Sequence, residues 1–135
     1  MAICVKNKSL ITNNLNNLTY QVIGAAYKIH SSLGPGLLES AYKEALFYVL
    51  GKEGFFVEKE KVLPLLFETV RLDAGYRLDL LVENKVVVEI KAVESFTDVH
   101  MAQVLTYLKL SGCKTGLLLN FNVADMKKGI KRIIL

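Results

Sequence analysis

The apolar residues in the first part of the chain recur with the period of a helix. A first helix is predicted over residues 18–32, capped by one of the preceding asparagines or by Thr19, with a buried stripe made of Val22, Ala25, Ala26 and Ile29. The Gly34-Pro35-Gly36 segment then breaks the helix. A second helix is predicted over residues 37–53, with an apolar face made of Leu38, Ala41, Ala45 and Val49.

After Gly54 the pattern changes to the alternation that is typical of strands. Short strands are predicted at 56–62, 67–72 and 76–82, the first two separated by Pro64, and a strand rich in β-branched residues is predicted at 86–93. A third helix follows at 98–110, then strands at 114–120 and 130–135. A hairpin followed by a helical crossover to another strand predicts an α/β fold, with a mixed β-sheet flanked by helices.

Composition and charge narrow the class of protein. The 135 residues suffice for one domain, and a hydrophobic content of 52% excludes a disordered chain. Cys4 and Cys113 have neither metal-binding nor redox spacing, and no signal-peptide core or membrane-spanning apolar stretch is present, so a cytoplasmic location is expected. The net charge of +4 permits a polyanionic partner, with basic residues gathered at Lys127, Lys128, Lys131 and Arg132.

Two acidic residues interrupt strands that are otherwise apolar. Glu89 and Lys91 share one face of the strand at 86–93, and Asp79 lies in the strand before it. A buried carboxylate is costly unless it binds a metal ion, a cation or hydrogen-bond donors. A three-residue turn at 83–85 places Asp79 opposite Glu89, whereas a two-residue turn places it opposite Val88 on the other face. We therefore predict the three-residue turn, or a bulge with the same effect.

This register has a weakness, because it also sets Arg77 opposite Lys91, and like charges repel. We expect strand twist or an acidic neighbour to separate them. Two carboxylates beside a lysine are suited to Mg²⁺ or Mn²⁺, which prefer oxygen ligands and can activate a bound water molecule. The same residues would also fit a buried charged cluster without catalytic role, and their spacing alone does not decide between the two.

An acid followed by Glu-x-Lys on the next strand resembles the PD-(D/E)XK nuclease superfamily. Upstream, residues 36–42 read GLLESAY, which resembles the G-x-x-E-x-x-Y motif of the GxxExxY proteins, a group within that superfamily. GYRLDLLV at 75–82 and AQVLTYL at 102–108 are similar to the same group. The resemblance extends from about residue 18 to 135, which predicts an N-terminal extension at 1–17 and one nuclease-like domain at 18–135.

The resemblance implies a restriction-endonuclease-like core and a set of site residues. Glu39, Asp79 and Glu89 would hold Mg²⁺ or Mn²⁺, Lys91 would assist the attacking water, and Gln103 would be an auxiliary residue of the catalytic site. From the residues alone, Glu39 also fits an exposed first-turn glutamate favoured by the helix dipole. Tyr42 could bond a site carboxylate or fill the core.

The expected function is metal-dependent hydrolysis of a phosphodiester in nucleic acid, with DNA as the expected substrate. The alternative is a catalytically silent module of the same fold that binds nucleic acid or a protein. A homodimer is a third possibility, because the apolar content could cover an interface. The sequence contains no nucleotide-binding fingerprint, zinc spacing or nucleophile elbow.

Overall fold

The computed structural model describes residues 11–135, which form three α-helices, a short 3₁₀ helix at Met126–Gly129 and one five-stranded sheet. The helices are α1 (Ile11–Leu33), α2 (Glu39–Lys52) and α3 (Asp98–Ser111). The strands are β1 (Val57–Phe67), β2 (Val70–Val82), β3 (Val86–Lys91), β4 (Thr115–Asn120) and β5 (Ile130–Ile134). None of the described helices combines the length and apolar character that a membrane span requires.

The sheet has the order β1-β2-β3-β4-β5, and β3 pairs with β4 in parallel while the other neighbours are antiparallel. Helix α3 connects the two parallel strands. One hydrophobic core lies between the sheet and α1 with α2, and a second lies between the sheet and α3. The predicted α/β fold, a mixed sheet flanked by helices, is confirmed.

Helix α1 is longer than predicted, because it begins at Ile11 rather than at residue 18. The asparagines expected to cap it lie inside the helix, and the Thr19 hydroxyl donates to the carbonyl of Asn16. The prediction that these residues cap the helix is therefore wrong. The stripe expected to be buried is buried: Val22, Ala25, Ala26 and Ile29. The first ten residues of the predicted extension lie outside the described part of the chain, and residues 11–17 are helical.

Helix α2 buries a different face from the predicted one. Tyr42, Leu46 and Leu50 are fully buried, whereas Leu38 is 77% exposed. The two apolar stripes overlap on this helix, so that a rotation of one residue position exchanges them. Glu39 lies in the first turn of α2, three residues before Tyr42, the first member of the buried stripe.

The predicted strands at 56–62, 67–72 and 76–82 are in fact two long strands, β1 and β2, joined at Glu68 and Thr69. Pro64 does not end β1, because β1 lies at the edge of the sheet, where a missing N–H is tolerated. The register shifts between Leu63 and Leu65 at this proline. Gly75 lies inside β2 with a φ of 81°, a backbone conformation that suits glycine.

The carboxyl ends of β3 and β4 form one edge of the sheet. Lys91 pairs with Asn120, and the N–H of Phe121 donates to the Lys91 carbonyl at 3.0 Å. The buried Asn120 side chain bonds both backbone groups of Val93, at 3.0 and 2.8 Å, and so fixes the loop that leads into α3. Segment 121–129 leaves the sheet at this edge and returns at Ile130.

Candidate active site

The β2–β3 hairpin has the predicted three-residue turn. Leu80 pairs with Val88, Leu81 with Val87, and Val82 with Val86, leaving residues 83–85 as the turn. This register sets Asp79 opposite Glu89, so the predicted parity is confirmed. The three-residue turn is formed with left-handed backbone at Glu83 and Asn84, which have φ of 54° and 55°.

At Asp79 and Glu89 the carboxylates replace the regular backbone pairing of the hairpin. The Ile90 N–H donates to Asp79 Oδ2 at 2.9 Å, and the Asp79 N–H donates to Glu89 Oε1 at 3.5 Å. The backbone ladder ends one residue earlier, at the Leu80–Val88 pair. The expected clash is avoided here, because the strands separate before Arg77, which is exposed and pairs with β1 instead.

The remaining oxygen of each carboxylate faces a lysine. Lys91 Nζ lies 3.7 Å from Glu89 Oε2, and Lys43 Nζ on α2 lies 3.8 Å from Asp79 Oδ1. The side chains of Asp79 and Glu89 are 15% and 5% exposed. Each acid thus has one oxygen fixed by the hairpin backbone and one beside a cation.

Burial dominates the electrostatics of both acids. Desolvation, followed by the Asp79 charge, raises the pKa of Glu89 to about 8, and the Lys91 ammonium opposes this only in part. Desolvation also raises the pKa of Asp79, although the Ile90 N–H and the Lys43 charge act in the opposite direction. When both carboxylates are ionised, the surrounding groups therefore compensate only part of their negative charge.

Lys91 begins a chain of hydrogen bonds that runs to α3. Its ammonium donates to Gln103 Oε1 at 3.0 Å, and Gln103 Nε2 donates to the Tyr107 hydroxyl at 2.9 Å. Burial, followed by the Glu89 charge, raises the pKa of Tyr107. Gln103 thus orients Lys91 and touches neither acid through these bonds.

Glu39 lies in the first turn of α2 and is exposed. Its charge is among those that raise the pKa of Glu89, so the two carboxylates lie within electrostatic range. Tyr42 does not bond a site carboxylate. Its buried hydroxyl donates to the Gly34 carbonyl at 2.6 Å and accepts from the Leu37 N–H at 3.0 Å. The tyrosine therefore fixes the turn that leads into α2.

Sequence reasoning missed Lys43 and Glu60. Lys43 follows Glu39 by four residues, a spacing that puts both on one helix face and could have revealed it. Glu60 lies opposite Asp79 in the β1–β2 register, at a position where the ladder skips a pair and Glu60 has a φ of 53°. No spacing rule could have found Glu60, because its pairing depends on the length of β1.

The chemistry of this site fits a hard divalent cation. Two desolvated carboxylates each present one oxygen that is not held by a backbone N–H, and Mg²⁺ is commonly bound by one or two carboxylates plus water. Among residues 11–135, no three His, Cys, Asp or Glu side chains are already gathered for a metal ion. Solvent, or an inward turn of the exposed Glu39 side chain, would complete the coordination.

The sequence profile described as the PD-(D/E)XK nuclease superfamily matches residues 16–133, almost the whole chain. The chain belongs to the PD-(D/E)XK nuclease superfamily. Neither a curated protein nor a solved structure gives a significant match. Members of this superfamily generally use divalent metal ions, and membership indicates a nuclease-like function directed at nucleic acid. In this PD-(D/E)XK domain, Asp79 on β2 and the Glu-x-Lys sequence on β3 lie together where the two strands of the hairpin separate.

Proposed function

We propose that this chain is a divalent-metal-dependent nuclease that hydrolyses phosphodiester bonds in DNA, using Mg²⁺ or Mn²⁺. The observation that carries the proposal is the convergence of Asp79, Glu89 and Lys91 on one face of a separating hairpin. Buried carboxylates of raised pKa beside a lysine are more typical of a functional site than of a structural ion pair. The sequence GPGLLESAY at residues 34–42, which contains the G-x-x-E-x-x-Y pattern, further supports placing the chain among the GxxExxY proteins.

Asp79 and Glu89 would hold the metal ion through Asp79 Oδ1 and Glu89 Oε2, with Glu39 as the proposed third ligand. The bound ion would lower the pKa of a water molecule and stabilise charge on the scissile phosphate. Lys91 would orient the attacking water or neutralise charge on the phosphate, since its ammonium is held in place by Gln103. Gln103 would act as a positioning residue.

The basic side chains on segment 121–129 favour a polyanionic substrate. Lys127 and Lys128 are exposed, and they lie on the segment that leaves the sheet at Asn120, next to Lys91 in the neighbouring strand. A phosphate backbone that reaches the site from this edge would meet both lysines. A cytoplasmic location is part of the proposal, because DNA and the reducing environment that suits a free Cys113 are found there.

A homodimer or protein partner would find an apolar surface on the β1–β2 hairpin. Phe67 and Val70 are exposed there and face each other across the hairpin, and Leu66 is exposed on the other face. Apolar side chains that cluster on a surface favour association. This hairpin is therefore the part of the described chain to which we assign self-association.

A cleavage assay tests the activity. Wild type is incubated with linear, single-stranded and branched DNA and with RNA, in Mg²⁺, Mn²⁺ or chelator. Glu89→Gln and Lys91→Ala should abolish cutting, whereas Lys85→Ala, at the turn on the opposite edge of the sheet, should not. If the folded wild type cuts no substrate and binds no metal, the enzyme proposal is wrong and a binding module of the same fold remains.

A charge-reversal pair tests the basic edge separately. Lys127→Glu with Lys128→Glu should weaken binding to a short DNA duplex in chelator and make it less dependent on salt. The matched control is Lys85→Glu with Lys114→Glu, which makes the same charge change at the opposite edge of the sheet. Equal loss of binding in both pairs would mean that net charge alone, and no particular edge, attracts the DNA.

A further inference from the structure

Lys43 occupies a position relative to Asp79 that matches the position of Lys91 relative to Glu89. Lys43 Nζ lies 3.8 Å from Asp79 Oδ1, and Lys91 Nζ lies 3.7 Å from Glu89 Oε2. Both oxygens are those that the hairpin backbone leaves free. The two lysines reach the acids from different elements, since Lys43 projects from α2 and Lys91 from β3.

Glu60 is the second carboxylate beside Lys43. Its Oε2 lies 3.9 Å from Lys43 Nζ, and in the strand registers it belongs to a row of three acids across the sheet, Glu60, Asp79 and Glu89. The Glu60 side chain is 52% exposed, whereas that of Lys43 is only 17% exposed. The Lys43 ammonium therefore lies between an exposed acid, Glu60, and a largely buried one, Asp79.

The contacts of Lys43 are loose for an ion pair. Distances of 3.8 and 3.9 Å exceed hydrogen-bond length, so the ammonium interacts with both carboxylates mainly through charge. By contrast, Lys59 Nζ, also between α2 and β1, contacts Glu44 Oε1 at 2.8 Å. A cation held without a short bond can be displaced from Asp79 with little loss, and it keeps Glu60 as a partner.

We propose that Lys43 is an internal counter-cation of Asp79 that competes with the metal ion for Asp79 Oδ1. In the metal-free chain, Lys43 compensates the buried Asp79 charge and so acts as a positioning residue. On metal binding it is displaced toward Glu60 and lowers the affinity for the ion by repulsion. The inference rests on the proposed function, because it takes Asp79 as a metal ligand.

Lys43→Met tests this competition by direct titration of Mg²⁺ and of Mn²⁺ at fixed pH, followed by calorimetry. Removing one positive charge beside the ion should tighten binding by roughly threefold to tenfold. Lys43→Arg, which keeps the charge, should bind the ion like wild type. Lys59→Met is the matched control, since it removes a lysine from the same α2–β1 interface that pairs with Glu44 rather than with Asp79 or Glu60.

Thermal unfolding gives a second readout. In chelator, Lys43→Met should unfold at a lower temperature than wild type, and saturating Mg²⁺ should reverse most of that difference. A purely structural lysine would lower the unfolding temperature equally with and without metal. In an Asp79→Asn background, Lys43→Met should tighten metal binding less than it does in wild type, because competition for the Asp79 charge is gone and only repulsion between Lys43 and the ion remains.

The outcomes separate the two proposals. Tighter metal binding by Lys43→Met, with wild-type affinity in Lys43→Arg, supports the competition. Unchanged or weaker binding by Lys43→Met, while wild type binds the ion, overturns the role of Lys43 and leaves the metal site intact. If neither wild type nor any variant binds Mg²⁺ or Mn²⁺, the proposed function and this inference both fail.

Discussion

Glu89→Gln in the metal-free protein tests the electrostatic account of the site most directly. Glutamine has nearly the same shape as glutamate, and its oxygen can still accept from the Asp79 N–H, but it cannot ionise. The substitution therefore removes the buried charge and leaves the packing of β3 unchanged. Its effect on stability should depend on pH in a way that the raised pKa of Glu89 determines.

The sign follows from proton linkage. The folded-state pKa of Glu89 is about 8, against 4.5 for an ordinary glutamate, so the folded chain keeps a proton that the unfolded chain releases between those values. The contribution of Glu89 to wild-type stability should fall as pH rises from about 4.5 to 8, whereas Glu89→Gln lacks this loss. The full difference corresponds to on the order of 3–5 kcal/mol.

The assay is chemical and thermal unfolding of both proteins in chelator, across pH 4.5 to 8. The variant should gain on wild type by on the order of 3–5 kcal/mol over this window, which is roughly 10 °C or more in Tm for a chain of this size. Glu94→Gln removes an exposed glutamate on the same edge of the sheet and should show no such gain.

A flat difference across the pH window would refute this reasoning, and so would a wild type that gains on the variant as pH rises. Either result would mean that Lys91 stabilises the Glu89 anion at least as much as burial destabilises it, although the ammonium lies 3.7 Å away and donates to Gln103. Saturating Mg²⁺ should restore wild-type stability near pH 8 and leave Glu89→Gln almost unchanged.

Three further substitutions test the surroundings of the site. Tyr42→Phe removes the hydroxyl that joins Gly34 to Leu37, and denaturant unfolding should show a loss of about 1–3 kcal/mol. Asn120→Ala leaves the partly buried backbone groups of Val93 without their side-chain partner, and unfolding should show a loss of about 2–4 kcal/mol. Gln103→Leu releases the Lys91 ammonium, so single-turnover cleavage should slow by about tenfold or more with little change in Tm. An unchanged cleavage rate would exclude a positioning role for Gln103.

The register of the β2–β3 hairpin could be predicted from the sequence because it is a question of parity. A strand has only two faces. If Asp79 and Glu89 are assumed to lie on the same face of the hairpin, their positions in the sequence require a turn of three residues rather than two. The structure has that turn, at residues 83–85. The buried face of α1 could be predicted from the sequence equally well, since only one apolar stripe is available on that helix.

The missed features depend on neighbours distant in sequence. A proline such as Pro64 would end a central strand but is tolerated in an edge strand. Only the order of strands in the sheet shows that β1 is an edge strand. Helix α2 has two overlapping apolar stripes, and contact with the sheet selects the one that contains Tyr42. Lys43 and Glu60 join the site only because α2 has this rotation and β1 has this length.

The arrangement of oxygens connects the fold of the hairpin to the chemistry of the site. Asp79 and Glu89 each use one oxygen to replace a backbone hydrogen bond where β2 and β3 separate, so neither acid can leave without disrupting the hairpin. Their other oxygens face Lys43 and Lys91 and are not held by a backbone N–H. Under the proposed function, a metal ion would therefore bind without any rearrangement of the strands. The ion would displace only charge contacts that are longer than a hydrogen bond, so we expect the site to stay folded both with and without it.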